Sequence, residues 1–508
     1  MQKPGGKIMK YISTRGNYKS VSASEAIRLG MVPEGGLFVP EIIPELSCEE
    51  IMNKKKASYQ ELVCWILNYF LGDYSKEEIE RAVKLAYSQE NFSTEKITPL
   101  RRLDDSTYIM ELWHGPTAAF KDLALQILPY LLVEAMKKNE DDKEIVILVA
   151  TSGDTGKAAL EGFKDVEGVQ IIVYYPEDGV SKIQEDQMLT TGGNNTEVVA
   201  VKGNFDDCQN AVKQIFADKR INRLLEKNDY QFSSANSINW GRLVPQIIYY
   251  FAGYFDLLRR NEIKEGEEIN ITVPTGNFGN ILASYYAYRM GLPVNKFICA
   301  SNDNKVLTDF LQTGVYDINR KFQKTISPSM DILISSNLER FLFEITGHNS
   351  QKIRKWYKQL EEEGRFEVDS ITLNKIKQIF SGEYALETKV KEIIKSTYED
   401  YDYLLDPHTG VGISSLQQYR EKREQKCTTI VDSTANPYKF SKAVLKALED
   451  EVTIKSIEDN YRVLDKLKER TGVEIHRALA DLEKKQVKHH RSCEVNEVKK
   501  EIRDILDI

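Results

Sequence analysis

Residues 144–156 read EIVILVATSGDTG, and this stretch indicates the class of fold. The run from Glu144 to Ala150 is short and apolar, with polar residues around it, which is typical of a buried strand. Small residues, hydroxyl groups and two glycines follow at once, and a helical pattern begins near Lys157. A strand that enters a helix through a tight turn is the unit from which parallel α/β sheets are built.

The same unit recurs further along the chain. Helical patterns alternate with strand-like runs at residues 169–175, 197–201, 269–274, 297–300 and 428–432. This alternation predicts an α/β fold with open parallel sheets and helices on both faces. Ligands bind such sheets at the carboxyl ends of the strands, so we expect the functional residues in the loops that follow the strands.

The pattern divides the chain into three parts. Residues 1–95 combine a short strand, a short helix and two amphipathic helices, which predicts a separate N-terminal domain. Residues 96–445 contain the α/β units, and we expect the charged helical sequence at residues 335–400 to be an insertion on the outside. Residues 446–508 carry many Lys and Glu residues at helical spacing, which predicts a solvated helical tail.

The composition is that of a globular protein of several structural units. Its 508 residues correspond to two to four units at roughly 100–200 residues per domain. The net charge of −8 argues against a nucleic-acid partner, because phosphate backbones attract basic surfaces. No apolar run approaches the ~18 residues of a membrane span, and we find no apolar signal core at the start of the sequence.

The spacing of cysteines and histidines argues against a metal site. The six cysteines are scattered with no C-x-x-C pair, and the six histidines show no H-E-x-x-H spacing. We therefore expect reduced thiols, a cytoplasmic location and no bound metal.

The first candidate for chemistry is Lys121, within ELWHGPTAAFKD at residues 111–122. It follows a loop that contains Gly115 and Pro116, and its surroundings are mostly apolar. The sequence predicts a helix near residues 119–137 after this loop. Desolvation lowers the pKa of a lysine, which makes the amine a better nucleophile and base. From this segment alone, a surface lysine in the first turn of a helix remains the alternative.

Two glycine-rich turns are candidates for anion binding. ATSGDTG at residues 150–156 places hydroxyls and backbone N–H groups at a helix N-terminus, where a carboxylate or phosphate can bind. PTGNFGN at residues 274–280 also lies between a strand and a helix, and its short length suits one phosphate monoester. It lacks the lysine of a P-loop and the spacing of a dinucleotide fingerprint. Either segment alone could also be an ordinary tight turn.

A fourth segment, SSANSINWGR at residues 233–242, combines five small hydrogen-bonding side chains with Arg242. Arginine is the side chain best shaped for bidentate phosphate binding, although a polar loop with a surface arginine is the alternative. Together the four segments provide a lysine nucleophile, two phosphate-sized anion sites and a hydroxyl-rich loop. This combination favours a pyridoxal phosphate enzyme with a phosphorylated amino acid as substrate.

At these residues the chain resembles the threonine synthase family, in the longer form found in many bacteria and fungi. The resemblance covers roughly residues 9–445, with the family's motifs in the expected order. The matching segments are HGPTAAFKD at 114–122, ATSGDTG at 150–156, SANSINWGRL at 234–243, GNFGN at 276–280, and further segments at 11–16, 33–40, 406–410 and 433–440.

The resemblance implies a fold-type-II pyridoxal phosphate enzyme, similar to the tryptophan synthase β-subunit. It implies conversion of O-phospho-L-homoserine and water to L-threonine and phosphate by a monomer. Lys121 would hold the cofactor covalently and move protons at Cα and Cβ of the substrate. The cofactor phosphate would be bound by Gly276, Asn277, Phe278 and Asn280. The pyridine nitrogen would accept a hydrogen bond from Thr434, with Ser433 beside it.

The resemblance also implies two sets of substrate-binding residues. The α-carboxylate would meet Ser152, Gly153, Asp154 and Thr155. The substrate phosphate would be held by Asn236, Ser237, Asn239 and Arg242. Two positions depart from the usual pattern: related enzymes often have Asn where Asp154 stands, and the family commonly has a smaller residue at Trp240.

Three other functions are compatible with parts of the sequence. A serine or threonine dehydratase of the same fold needs no second phosphate site, so residues 236–242 argue against it. A catalytically inactive relative that only binds ligands would not need Lys121. A phospho-lyase that releases 2-oxobutyrate from the same substrate is barely separated from threonine synthase by the sequence.

Overall fold

The computed structural model describes residues 9–140, 142–151, 153–423, 426–449 and 460–508. The strands there are β1 Tyr11–Ser13, β2 Phe38–Pro40, β3 Leu100–Arg102, β4 Thr107–Glu111, β5 Glu144–Ala150, β6 Val169–Pro176, β7 Thr196–Lys202, β8 Tyr230–Ser233, β9 Ile269–Pro274, β10 Val294–Ser301, β11 Val315–Asp317, β12 Arg365–Glu367, β13 Phe380–Tyr384, β14 Thr429–Ser433 and β15 Arg491–Glu494.

The α-helices in the same residues are α1 Ala23–Leu29, α2 Cys48–Met52, α3 Tyr59–Phe70, α4 Lys76–Ala86, α5 Asp122–Leu125, α6 Leu128–Lys138, α7 Asp154–Phe163, α8 Lys182–Leu189, α9 Phe205–Ala217, α10 Lys219–Lys227, α11 Trp240–Leu243, α12 Ile248–Arg259, α13 Gly279–Arg289, α14 Val306–Thr313, α15 Leu338–Ile345, α16 Ser350–Glu363, α17 Ser370–Ile379, α18 Glu387–Tyr401, α19 Pro407–Glu421, α20 Ser441–Leu448, α21 Asn460–Thr471 and α22 Val498–Leu506. No helix in this part of the chain has both the length and the apolar character that a membrane crossing requires.

The larger sheet has six strands in the order β13-β10-β9-β14-β4-β3. All neighbours are parallel except β3, which is antiparallel to β4. In the middle, Val431 of β14 pairs with Ile109 of β4 on one side and with Thr272 of β9 on the other. The loops after β4, β9 and β14 therefore leave the sheet at the same edge, although they are far apart in sequence.

The smaller sheet has five parallel strands in the order β15-β7-β6-β5-β8. Strand β5, the apolar run that first indicated the fold, lies between β6 and β8, and Ile145 to Val149 are buried. Two open sheets, each with helices packed against it, confirm the predicted α/β architecture.

The N-terminal residues pair β1 with β2 in antiparallel register and surround this ribbon with α1 to α4. The Tyr11 hydroxyl donates to the Phe70 carbonyl within this unit, and the Tyr74 hydroxyl donates to the Leu131 carbonyl of α6. The second of these buried hydrogen bonds attaches the unit to the α/β part of the chain.

Three expectations from the sequence need correction. The helix expected near residues 119–137 is two helices, α5 and α6, because Pro129 in the first turn of α6 cannot donate the hydrogen bond that a continuous helix requires there. Residues 335–400 are not only an outer insertion, since β13 forms the edge of the larger sheet beside β10. Residues 446–508 are not a solvated helical tail throughout: β15 pairs with β7, and Cys493 and Ile502 are buried.

Candidate active site

Lys121 lies at the edge of the larger sheet where β4 and β14 end. The N–H of Phe120 donates to the Thr434 carbonyl over 2.9 Å, and Ala119 forms an antiparallel bridge with Ala435. The lysine loop is therefore attached to the turn that follows β14, and Lys121 is only 9% exposed. This burial excludes the surface-lysine alternative.

The side chain of Asp122 closes the lysine loop. Its carboxylate accepts hydrogen bonds from the Thr117 N–H over 2.8 Å and from the Thr117 hydroxyl over 2.6 Å. A Cβ atom at Gly115 would lie 2.5 Å from Asp122, so this position has no room for a side chain. The Gly, Thr and Asp of the HGPTAAFKD segment thus shape the turn that presents Lys121.

The amine of Lys121 lies 3.4 Å from Oδ2 of Asp154. Burial lowers the pKa of Lys121; Asp154 opposes this effect, while the positive charges of Arg242 and Lys439 add to it, and the net pKa is lowered. The direction of this shift is the one expected from the sequence, and a lowered pKa makes the amine a better nucleophile and base.

Asp154 is the first residue of α7, and the glycine before it makes this position possible. Gly153 has a φ of +125°, which side-chain-bearing residues rarely adopt, and a Cβ there would lie 2.6 Å from Gln184. Because Gly153 has no side chain, Gln184 can approach this turn closely. The Gln184 amide donates a hydrogen bond to Oδ1 of Asp154 over 2.9 Å.

Asp154 is a buried carboxylate between two lysines. Oδ1 lies 3.0 Å from the Lys439 amine, and Oδ2 accepts from the Ser329 hydroxyl over 3.2 Å as well as facing Lys121. Burial by itself would raise the pKa of Asp154, but Lys439, Lys121 and Gln184 outweigh it, and the pKa lies well below its usual range. Asp154 is thus ionised at neutral pH.

The N-terminus of α7 retains unused donors. The N–H groups of Gly153 and Gly156 both donate to the Thr151 hydroxyl over 2.9 Å, which shapes the turn. Within the described residues, the N–H groups of Asp154 and Thr155 have no acceptor. They can receive a carboxylate, as expected for this turn. Ser152, the other residue predicted here, lies outside the described residues.

The loop between β9 and α13 forms a cradle for an anion. Its backbone N–H groups from Gly276 to Asn280 donate to no described residue. Phe278 adopts a left-handed conformation with φ of +59°, and a Cβ at Gly276 would lie 2.6 Å from the Ser329 carbonyl. Unpaired N–H groups at the N-terminus of a helix fit the phosphate of pyridoxal phosphate.

The side-chain amide of Asn280 is bonded to other residues of the protein rather than free to bind a phosphate. Its amide nitrogen donates to Asp432 over 3.0 Å, and its oxygen accepts from the hydroxyls of Tyr249 and Tyr250. A contact between Asn280 and a phosphate would therefore come from its backbone N–H. The buried network attaches the first turn of α13 to β14, the strand that Thr434 directly follows.

Residues 335–337 support the same loop from outside the motif. The Ser335 hydroxyl donates to the Gly276 carbonyl over 2.7 Å, and the Asn337 N–H donates to the Asn277 carbonyl over 3.1 Å. The sequence analysis assigned no role to this region, because only the long-range contact shows it. The Ser-Ser-Asn cluster was the one local signal.

Arg242 is a buried arginine without a carboxylate partner among the described residues. It is 5% exposed, and its guanidinium donates a 2.7 Å hydrogen bond from Nη1 to the Ala235 carbonyl. Burial lowers its pKa to about 10, so it still carries its charge at neutral pH. A buried guanidinium with unused donors, close enough to Lys121 to affect its pKa, fits an anion bound beside the reactive amine.

The other predicted phosphate-binding residues of this loop differ in their hydrogen-bond partners. Asn239 is fully buried and caps α11: its oxygen accepts from Gly241, and its nitrogen donates to the carbonyls of Ile27 and Ser234. Its side chain therefore shapes the loop. Ser237 lies 3.3 Å from the hydroxyl of Ser336, which joins this loop to the β9–α13 cradle. The Asn236 side chain has no hydrogen-bond partner in the described part of the chain.

The side chain of Trp240 packs against other aromatic rings in the core. Its ring lies 5.3 Å from that of Tyr11, 5.6 Å from Phe70 and 5.4 Å from Tyr286, and it is fully buried. The large residue at this position thus fills the core between the N-terminal unit and α13.

Ser433 is the last residue of β14 and Thr434 follows it, and their two hydroxyl groups differ in their hydrogen-bond partners. The Ser433 hydroxyl accepts from the Trp113 indole and contacts the Thr409 hydroxyl, each over 3.0 Å. The Thr434 hydroxyl has no hydrogen-bond partner among the described residues. Thr434 is thus the hydroxyl left available for a ring nitrogen.

The sequence analysis missed three side chains that contact Asp154, namely Gln184, Ser329 and Lys439, and it missed His408, which contacts Ser329. The Ser329 N–H donates to Nε2 of His408 over 3.2 Å, and Nδ1 of His408 lies 2.8 Å from Asp406. His408 and Lys439 lie within segments that carried the resemblance, but their roles depend on contacts that a single sequence does not reveal.

Comparisons with known proteins agree with this geometry. Residues 10–87 match the family described as "Threonine synthase N terminus", residues 92–372 match "Pyridoxal-phosphate dependent enzyme", and residues 409–502 match "Threonine synthase, C-terminal". The cofactor expected from the sequence is confirmed by the second match and by the solved structure described next.

Three relatives illustrate the similarity. The "Threonine synthase" of Eremothecium gossypii is 36% identical over 98% of this chain and 98% of its own length. The solved structure of "PLP bound Threonine synthase from Brucella melitensis" has a TM-score of 0.86 at 34% identity and covers 98% of this chain and 99% of its own. "Threonine synthase-like 1" of Macaca fascicularis is 41% identical over 84% of this chain, and this match spans only 58% of that relative's length.

Proposed function

Because the chain belongs to the threonine synthase family, we propose that it is a pyridoxal phosphate-dependent lyase that converts O-phospho-L-homoserine and water to L-threonine and phosphate. The observation that carries the proposal is the buried guanidinium of Arg242, which has no carboxylate partner among the described residues and lies near Lys121. It provides a second anion site in addition to the β9–α13 cradle. A substrate with its own phosphate needs both sites.

We assign the cofactor-binding roles as follows. Lys121 holds the cofactor, the N–H groups of the β9–α13 loop bind its phosphate, and the Thr434 hydroxyl donates to its ring nitrogen. A neutral hydroxyl at that nitrogen does not enforce a protonated ring, unlike a carboxylate. When bound, pyridoxal phosphate supplies an electron sink for the bonds that break at Cα of the substrate.

The protein's own residues then perform the remaining tasks. The free N–H groups of Asp154 and Thr155 at the N-terminus of α7 receive the α-carboxylate. The amine of Lys121 takes one proton from Cα and one from Cβ. Arg242, with Asn236 and Ser237 beside it, holds the phosphate as the Cγ–O bond breaks and the electron pair leaves with the phosphate. Cγ then gains a proton and becomes the methyl group, the oxygen of water bonds to Cβ as that water loses one proton, and Cα is protonated again. Of the three protons released, two return to carbon and the third leaves with the phosphate. A grip on the phosphate that strengthens as it leaves lowers the barrier rather than only aiding binding.

Product analysis with O-phospho-L-homoserine tests the proposal. We expect L-threonine and phosphate in equal amounts, measured by amino-acid chromatography and a phosphate assay. Phosphate with 2-oxobutyrate in place of threonine would identify a phospho-lyase, and no phosphate release at all would contradict both. Turnover of L-serine or L-threonine to an oxo acid, with no action on the phosphorylated substrate, would identify a dehydratase.

We also propose a cytoplasmic monomer. All six cysteines are free thiols in the structure, which suits a reducing compartment. Light scattering on the purified chain should give a mass near 58.3 kDa, and a value twice as large would contradict the monomer.

A further inference from the structure

Lys439 is a buried lysine whose neighbours provide the hydrogen-bond acceptors that a charged ammonium group requires. It lies in the turn after β14, and its side chain has no exposed surface. The amine has three acceptors: Asp154 Oδ1 at 3.0 Å, the Thr117 carbonyl at 2.9 Å and Gln187 Oε1 at 3.3 Å. An ammonium has three protons and no acceptor, so three oxygens satisfy it completely. A buried ammonium requires such pairing, because isolated burial of a charge is very unfavourable.

The two oxygens of Asp154 have different partners. Oδ1 receives Lys439 and Gln184, whereas Oδ2 receives Lys121 and Ser329. Lys121 must give up its positive charge to act as a nucleophile or base. At that moment Oδ2 loses the one cation that contacts it among the described residues, while the contact of Oδ1 with Lys439 is unchanged.

Without Lys439, Lys121 would be the only lysine in contact with this buried carboxylate. The carboxylate would then favour the charged form of Lys121, which is the form that cannot react. Lys439 has two effects of the same sign: it shares the charge of Asp154, and its own positive charge repels a proton on Lys121.

The contacts of Lys439 also join the two sheets at the site. Thr117 belongs to the loop that presents Lys121, Asp154 begins α7, and Gln187 lies on α8. The lysine follows β14 of the larger sheet, whereas α7 and α8 follow strands of the smaller sheet. Its position therefore depends on the assembled site.

We propose that Lys439 is a positioning residue that serves as the permanent counter-ion of Asp154, so that Lys121 is released from that role and is available to the cofactor and the substrate. This deepens the proposed function, but it rests only on Lys121 as the amine that holds the cofactor. It does not depend on whether the product is threonine.

The test measures how fast the cofactor-free protein binds added pyridoxal phosphate covalently between pH 6.5 and 9.5. The visible absorbance of the bound cofactor gives the rate, and the midpoint of its pH profile reports the loss of the proton on Lys121. The charged groups that face this amine are Asp154, Arg242 and Lys439. We expect Lys439→Met to raise the midpoint by at least about one pH unit, which lowers the rate at pH 7.5 about tenfold.

A double variant separates electrostatics from packing. In Lys439→Met/Asp154→Asn both charges are gone, so the midpoint should return to the wild-type value or lie below it. The matched control is Lys157→Met/Glu161→Gln, which removes another buried lysine and its carboxylate partner on α7, neither of which contacts Lys121. Its midpoint should stay within a few tenths of a unit of the wild-type value.

Two results would overturn the proposal. One is a midpoint in Lys439→Met that moves no further than in the control, even if the rate falls at every pH, because that pattern indicates structural damage alone. The other is a double variant whose midpoint stays as high as that of Lys439→Met. If Lys439→Met does not fold, the double variant should still fold, since a buried ion pair can be replaced as a unit. Failure of both to fold would show that Lys439 acts through something other than the charge of Asp154.

Discussion

The side-chain amide of Asn280 donates a 3.0 Å hydrogen bond to the carboxylate of Asp432, and this contact joins the first turn of α13 to β14. Tyr250 donates to the same carboxylate oxygen over 2.7 Å. The other oxygen, Oδ1, is buried with no hydrogen-bond partner in the described part of the chain. Burial raises the pKa of Asp432 to about 7, although the hydrogen bonds from Tyr250 and Asn280 oppose the shift.

This raised pKa predicts a pH dependence of stability. Between the unfolded pKa of about 4 and the folded pKa of about 7, the folded protein holds a proton on Asp432 that the unfolded chain has lost. The contribution of Asp432 to the free energy of unfolding therefore falls as the pH rises through this window. Relative to wild type, Asp432→Asn should gain stability between pH 5 and pH 7.5, by at most on the order of 3 kcal/mol.

Urea denaturation of both proteins at the two pH values measures this difference. Asn at position 432 can still accept the hydrogen bond from Asn280, so the network need not be lost. A difference in unfolding free energy that is the same at both pH values would show that Asp432 does not titrate in this range.

Lys121→Ala should abolish turnover and remove the visible absorbance band of the bound cofactor. The reason is that Lys121 is the lysine presented by the loop attached to Thr434, with an amine whose pKa is lowered by burial. Absorbance spectra and turnover assays of the purified variant measure both effects. Lys157→Met/Glu161→Gln, the control already described, should keep the band. A Lys121→Ala protein with the band at wild-type intensity would show that another lysine carries the cofactor.

The strands whose bounds the sequence predicted best are two strands in the interior of their sheets. The predicted bounds 144–150 and 269–274 agree with β5 and β9. β5 is a continuous apolar run after Glu144, as expected for a strand buried on both faces, whereas β9 also contains Asn270 and Thr272, which are buried. Strand β4 was missed although it is fully buried, and β15 was missed because two of its four residues are charged. Strands as short as β15 are specified by their neighbours rather than by their own pattern.

For the site, the sequence predicted positions better than orientations. Lys121 and Arg242 were chosen from residue type and surroundings, and both side chains are buried near one another in the structure. Asn239 and Asn280 received binding roles from the family resemblance, yet their side-chain amides bond to the protein itself. Lys439 could not be chosen, because its role arises from Asp154, which is far away in sequence.

Thr434→Asp should change the chemistry of the cofactor without unfolding the protein. A carboxylate next to the pyridine nitrogen favours its protonated form, which a neutral hydroxyl does not enforce. We expect a changed visible spectrum and a larger share of 2-oxobutyrate relative to threonine, measured by absorbance and product analysis. Thr434→Val, which removes the hydroxyl without adding charge, is the control. An unchanged spectrum and product ratio in Thr434→Asp would mean that this side chain does not face the ring.

Arg242→Lys should reduce activity far more than the retained charge suggests. The buried guanidinium has donors that no described carboxylate uses, and lysine lacks the planar fork that binds two phosphate oxygens. A charge-assisted hydrogen bond contributes about 1.5–3 kcal/mol, so kcat/KM for O-phospho-L-homoserine should fall roughly 10- to 100-fold.

The affinity for pyridoxal phosphate should change little in Arg242→Lys, because the cofactor phosphate is assigned to the β9–α13 loop. Arg260→Lys, which alters a partly exposed arginine paired with Asp256 at the C-terminal end of α12, is the matched control and should leave both parameters near wild type. Two titrations, one with cofactor and one with substrate, measure the effects separately. If Arg242→Lys weakens cofactor binding but leaves the substrate parameters intact, the two phosphate sites are assigned in the wrong order.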